Sequence, residues 1–190
     1  MDIKTDASKT VIKKRLLIFL DLETTGLEVQ KHEVIEIGAL KVAPRKPFKM
    51  LDQLFIKVKP KDLKNASKSA LKLVGYSPEE WENALDIDKA LKNLDEFSEN
   101  GVLVGYNVSF DWSVLDRAYF SLGRQDPFYY HRLDVMPMAY LKLFSQRSLK
   151  RFSLGEICKY FKVPEGIKHN ALDDAMATYL VFKKLFSYTD

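Results

Sequence analysis

A mixed α/β sheet covered by helices is the fold class that this sequence predicts, and three observations carry it. Short apolar runs at Leu16–Leu20 and Gly101–Gly105 suit strands buried on both faces better than helices. Three strand-like segments stand at the front of the chain, and strand–helix alternation follows them. The 190 residues, 46% hydrophobic and 29% charged, suffice for one domain with a sizeable core.

Taken in order, residues 1–13 lack periodicity and are expected to form a loose leader to a single domain over 14–190. Leu16–Leu20 starts the first strand, and Thr24-Thr25-Gly26 breaks it, because Gly26 permits a sharp turn and a close approach to a ligand. His32–Val42 carries alternation and reads as a second strand. Ala43–Pro47 is a turn, and Met50–Val58 is a third strand. Short links between these three predict antiparallel pairing. Ala66–Val74 reads as a short helix. Ser77 before Pro78 predicts another helix start, with a capping serine and a proline at the first helical position. Apolar residues at 87, 90, 91, 94 and 97 have helical spacing. After the strand at Gly101–Gly105, a helix is expected over Val108–Leu122, ended by Gly123. Leu133–Val135 is a last short strand leading into a helix through Phe144. Ser153 caps a helix to about Phe161, which Pro164 and Gly166 break, and Asn170–Phe186 is the final helix.

Composition removes several classes of function. No apolar run approaches the ~18–20 residues of a membrane span. Lys13-Lys14-Arg15 precedes only five apolar residues, too few for a signal peptide. Cys158 is the single cysteine, so no internal disulfide can form; that fits a reducing setting, and a cytoplasmic location is expected. The net charge is a mild +4, but it is unevenly spread. Residues 41–72 hold ten Lys/Arg against two Asp, whereas residues 73–111 hold nine Asp/Glu against two Lys. The basic segment could serve a polyanion or simply be a solvated, lysine-rich loop.

Chemistry concentrates in three places. Asp21 and Glu23 sit at i and i+2, so a strand points both carboxylates to one face. Like charges so close repel, and burial worsens the repulsion. A hard divalent cation such as Mg²⁺ or Mn²⁺ is the usual reason to tolerate them, because it favours oxygen ligands. Solvated acids at a strand end are the plain alternative. Asn107 and Asp111 fall in the turn and first helical turn after Gly105, where open α/β sheets place ligands. Asp111 there could also just complement the helix dipole. His169 follows a loop containing Pro164 and Gly166, from which an imidazole could reach a water and take its proton. On a continuous helix His169 would lie about 40° from Asp173 and about 140° from Asp174. His169 need not be helical, so this spacing leaves the two aspartates undecided. His32 and His131 have no comparable link to the carboxylates and serve as controls.

Together these pieces closely resemble the DEDD 3′→5′ exonucleases of the DnaQ-like group, to which bacterial DNA polymerase III proofreading subunits and ribonuclease T belong. The resemblance lies in Asp21-x-Glu23-Thr-Thr-Gly-Leu27, Asn107-x-x-Phe110-Asp111 and His169-x-Ala171-x-x-Asp174, with Leu133-Asp134 and Ser153-Leu154 as lesser features. Order and intervals fit across about residues 15–185. The third motif selects Asp174 over Asp173, and its histidine marks the DEDDh subgroup.

The resemblance implies a ribonuclease H-like fold, a five-stranded mixed sheet with helices on both sides. It implies that Asp21, Glu23, Asp111 and Asp174 hold two Mg²⁺ or Mn²⁺ ions and that His169 deprotonates the attacking water. The product would be a nucleoside 5′-monophosphate from a single-stranded DNA or RNA 3′ end. Thr24 and Thr25 would line the terminal nucleotide through their backbone, Leu27 would press on its base, and Asn107 and Phe110 would join the substrate side. The Phe128–Arg132 run reads first as core packing, with a stacking path for a single strand as its alternative. A DNA polymerase is the protein partner that proofreading would imply. The rival is a catalytically silent binding or polymerase-docking module, which loss of a carboxylate or the histidine would mark; none is lost. No residue announces DNA against RNA, since the 2′-hydroxyl is read by local geometry.

Overall fold

The computed structural model of the chain describes residues 11–164 and 169–188. Residues 1–10 of the expected leader, and Gly166 of the loop before the last helix, lie outside the described residues. Of the rest of the leader, Ile12–Lys14 form a 3-10 turn, and Ile12 packs against the core.

The sheet consists of β1 (Leu17–Thr24), β2 (Val34–Val42), β3 (Met50–Lys57), β4 (Val102–Gly105) and β5 (Arg132–Asp134), in the order β3-β2-β1-β4-β5. The short links make β1, β2 and β3 antiparallel, as their lengths predict. A long crossover through α1 (Lys68–Val74) and α2 (Ile87–Ser98) brings β4 in parallel to β1. The crossover α3 (Val108–Ser121) then brings β5 in parallel to β4. The chain closes with α4 (Val135–Leu143), α5 (Leu154–Phe161) and α6 (Ala171–Ser187). This is the five-stranded mixed sheet flanked by helices of a ribonuclease H-like fold.

β1 shows why the run Leu16–Leu20 is apolar throughout. Its odd positions, Leu17 and Phe19, enter a core cluster with residues of α4, α5 and α6. Its even positions, Ile18, Leu20 and Leu22, enter a second cluster with residues of α2 and α3. Phe19 meets Tyr179 and Phe182 edge-on, at 5.4 and 5.3 Å between ring centres. The period-2 alternation then carries Asp21 and Glu23 onto the α6 face.

One sequence expectation changes and one open alternative closes. The Ser77–Pro78 start does not become a helix. Ser77 accepts from Glu80 N–H and Trp81 N–H, but the chain then leaves in turns. Buried Trp81 donates its indole N–H to the Ile35 carbonyl, and Leu85 exchanges backbone bonds with Lys57 and Lys59. A continued helix could not lay Leu85 along the strand. The Phe128–Arg132 run lies at the end of the sheet opposite the C-terminus of β4, where Tyr129 N–H donates to the Gly101 carbonyl. Phe128 is core, so packing is the reading that holds there.

Candidate active site

β1 ends as the seat of the site. Asp21 pairs in register with Gly38 and Glu23 with Glu36, and a bulge follows Glu23. β4 pairs with β1 only as far as Phe19, which leaves the Leu22 N–H without a strand partner on that side. The Asp111 carboxylate takes it, accepting from Leu22 N–H at 3.0 Å. That bond fixes Asp111 against β1 at the residue between Asp21 and Glu23 in the chain. Asp111 reaches this position because Asn107 adopts a left-handed conformation (φ 62°) and opens α3 there. Asp134 holds the turn by accepting from Asn107 N–H and Met136 N–H.

The fourth acid comes from α6. One oxygen of Glu23, one of Asp174 and one imidazole nitrogen of His169 lie within 4.8 Å of one another. His169 is not helical: it is exposed with φ 61°, and α6 begins only at Ala171. The helical angle favouring Asp173 therefore does not apply, and Asp174 is the aspartate in this group.

Thr24 and Thr25 are buried with their hydroxyls used internally. Thr24 donates to the Gly26 carbonyl, and Thr25 accepts from Glu33 N–H. Leu27, beyond them, is 83% exposed. Gly26 has φ 155°, and a Cβ there would fall 2.5 Å from the His32 ring. His32 is buried beneath this turn and accepts from Glu28 N–H. It is thus a structural prop of the loop, and it cannot serve as a neutral control. Asn107 is exposed at the mouth of the site, and Phe110 is half-buried against the second core cluster. The basic segment divides: Arg45, Lys46 and Lys49 flank the far hairpin, whereas the loop through Lys61 and Lys64 joins the site's loop where Ser67 N–H donates to the Thr25 carbonyl.

Burial and mutual repulsion govern the electrostatics. Burial first, then the carboxylates of Asp111, Asp174, Glu23 and Glu36, hold Asp21 well above the ordinary range. Burial, then Asp174, Glu36 and Asp111, push Glu23 to about 8. Burial raises Asp111 to about 7 against the Leu22 N–H bond, which pulls it down, with Asp134 adding a smaller upward push. Such a cluster takes up either protons or cations. Its donors are carboxylate oxygens and one imidazole, which suit a hard divalent ion. Cys158 is remote, buried in the core.

A pH dependence of stability follows for the chelator-treated protein. Unfolded carboxylates release their protons near pH 4, whereas Glu23 and Asp111 keep theirs to about 8 and about 7. The folded state thus binds more protons between these limits, so stability falls as pH rises from about 5 to about 8. The thermal midpoint should drop across that window, and added Mg²⁺ should raise it more at the alkaline end. A midpoint that climbs with pH across the window would contradict this account of the cluster.

Glu36, Gly38, His32 and the bonds of Asp134 border the site without being marked by the motifs. A glutamate and a glycine inside the otherwise apolar stretch Val34–Leu40 were the available signal for the first two.

The sheet order and the acids gathered at the end of its first strand define a ribonuclease H-like nuclease. The chain belongs to the exonuclease (RNase T) family, whose model matches residues 18–182. Exonucleases of this kind use divalent metal ions. The chain is 30% identical over 168 residues to the PolC-type DNA polymerase III of Thermotoga petrophila, covering 87% of this chain and 11% of that one. Against the PolC-type enzyme of Caldanaerobacter subterraneus it is 30% identical over 183 residues, covering 96% and 12%. The chain thus spans only about an eighth or less of these relatives' length. Among solved structures, the nuclease domain of 3′hExo, a DEDDh family member bound to rAMP, superposes with a TM-score of 0.76 at 16% identity, covering 91% and 92%. Exonuclease I of E. coli with a dT13 oligonucleotide gives 0.75 at 18%, covering 91% of this chain and 41% of that one. Among the described residues, no helix is long and apolar enough to cross a membrane.

Proposed function

We propose that the chain hydrolyses the terminal phosphodiester of a single-stranded nucleic acid at its 3′ end, releasing nucleoside 5′-monophosphates, with two divalent cations as cofactors. The convergence of Glu23, His169 and Asp174 within 4.8 Å, beside Asp21 and Asp111, carries this reading. Asp21, Glu23, Asp111 and Asp174 hold the ions, Mg²⁺ or Mn²⁺. Such a pair supplies charge stabilisation at the attacking and leaving oxygens. His169 takes the proton of the attacking water. Its left-handed backbone, a conformation that costs roughly 1–2 kcal/mol for a non-glycine residue, keeps it out of the helix and against Glu23 and Asp174. Thr24 and Thr25 offer backbone to the terminal nucleotide, since their hydroxyls are engaged, and exposed Leu27 meets its base. Asn107 and Phe110 border the same strand.

The exonuclease I neighbour holds a dT13 oligonucleotide and the 3′hExo neighbour rAMP, which supports a single-stranded DNA or RNA end as the substrate class here. The PolC-type relatives favour a proofreading role beside a DNA polymerase. A silent binding module is disfavoured because all four acids and the histidine are present and gathered.

Chelation is the direct test. Protein stripped of metal with EDTA should leave 5′-labelled single-stranded DNA and RNA of matched sequence intact. Mg²⁺ or Mn²⁺ should restore stepwise shortening from the 3′ end. Undiminished cleavage in excess EDTA would sink the metal-assisted reading.

A further inference from the structure

We infer that Glu36 is a positioning residue for this reaction, holding the first turn of α6 against β2 so that Asp174 and His169 stand beside Glu23. The inference rests on the metal-assisted reading above but concerns a residue outside the four acids and the histidine.

A helix leaves its first N–H groups without intrahelical partners, and in α6 each has an identifiable acceptor. Asn170 takes Leu172 N–H and Asp173 N–H on its side chain, at 3.1 and 3.2 Å. Asp174 N–H bonds the Asn170 carbonyl at 3.0 Å. Those contacts all lie within the segment and fix nothing to the sheet. Only Ala171 N–H reaches across, donating to Glu36 Oε2 at 3.2 Å in a buried bond. Glu36 is 3% exposed and faces Glu23 across the β1–β2 ladder. A like charge placed there is unfavourable on cross-strand grounds alone. The helix N-terminus it receives compensates for this, together with Lys57 paired opposite it on β3. Two residues along the same face, Gly38 completes the seat. A Cβ there would lie 2.1 Å from the Ala171 carbonyl carbon and 2.2 Å from Leu172 N. Glu36 and Gly38 therefore set how close α6 comes to Asp21 and Glu23, and Asp174 follows three residues after the bonded Ala171.

Reach, and not charge, is what this role requires. Glu36→Gln keeps an oxygen acceptor at the same distance and drops the charge. Glu36→Asp keeps the charge and withdraws the acceptor by one methylene. We expect Glu36→Asp to lower kcat and to weaken Mn²⁺ binding by roughly 10–100-fold, the scale of a lost outer-shell partner, with little change in KM. Glu36→Gln should stay within a few-fold of wild type on both. Hydrogen exchange of the metal-free proteins supplies a readout independent of turnover. Amides in the first turn of α6 should exchange about tenfold faster in Glu36→Asp, the scale of one net hydrogen bond, and near the wild-type rate in Glu36→Gln. Wild-type behaviour of Glu36→Asp in exchange and turnover would overturn the inference. So would a Glu36→Gln variant as impaired as Glu36→Asp, which would make the charge itself the active feature. Failure of metal to restore cleavage in the wild-type protein would instead strike the underlying reading, leaving the exchange result to judge Glu36 as a holder of α6.

Discussion

Asp174→Asn and Asp21→Asn are each expected to lower turnover by about three orders of magnitude or more, while Asp173→Asn mostly spares it. A bound cation contributes several kcal/mol of transition-state stabilisation, and each ~1.4 kcal/mol is tenfold in rate. Asp21 is the acid that all of Asp111, Asp174, Glu23 and Glu36 act upon, so its loss should reach every part of the cluster. Asp174 shares the space within 4.8 Å of Glu23 and His169. Asp173 adjoins it in sequence on the same helical turn, which makes it a close control for folding and surface charge. Single-turnover cleavage of a labelled oligonucleotide, with circular dichroism to verify folding, decides the matter. Equal loss from Asp173→Asn and Asp174→Asn would show that the wrong face of α6 has been assigned to the metal.

His169→Ala is expected to slow the chemical step by roughly two to four orders of magnitude, the usual scale for a general base, with metal and substrate binding retained. His169 is exposed at the mouth, just before α6, and its imidazole comes within 4.8 Å of a carboxylate oxygen of Glu23 and of Asp174. His131→Ala is the appropriate control. Its ring meets Tyr130 at a tilt, 4.0 Å between ring centres, in the segment that lies at the far end of the sheet. His32→Ala would confuse folding with catalysis, because that ring fills the space beneath Gly26. Wild-type cleavage by His169→Ala would remove the base from the mechanism.

Much of the fold was legible because its signals are local. Apolar runs marked β1 and β4, short links marked the antiparallel front, and Ser67, Ser153 and Asn170 cap their helices through side-chain bonds a few residues away. The Ser77 start failed for a non-local reason: Trp81 and Leu85 are claimed by β2 and the end of β3. Likewise the resemblance named the four acids and the histidine, since their spacing in the chain is itself the signature.

What the sequence determined by itself is the order of elements, the alternation that sets Asp21 and Glu23 on one face, and the set of residue types at the site. Tertiary structure alone decided the rest. It took His169 out of the helix and brought it, with the Asp174 that the motif had already selected, beside Glu23; it pinned Asp111 to Leu22 N–H, and it set Glu36 and Gly38 under the first turn of α6. It also separated the basic residues of 41–72 between two ends of the sheet. The physical reason is common to all of these. A strand's period and a helix cap are fixed by neighbours in the chain, whereas the acceptor for an orphaned N–H, and the repulsion among buried acids, depend on segments 89 and 135 residues apart meeting in space.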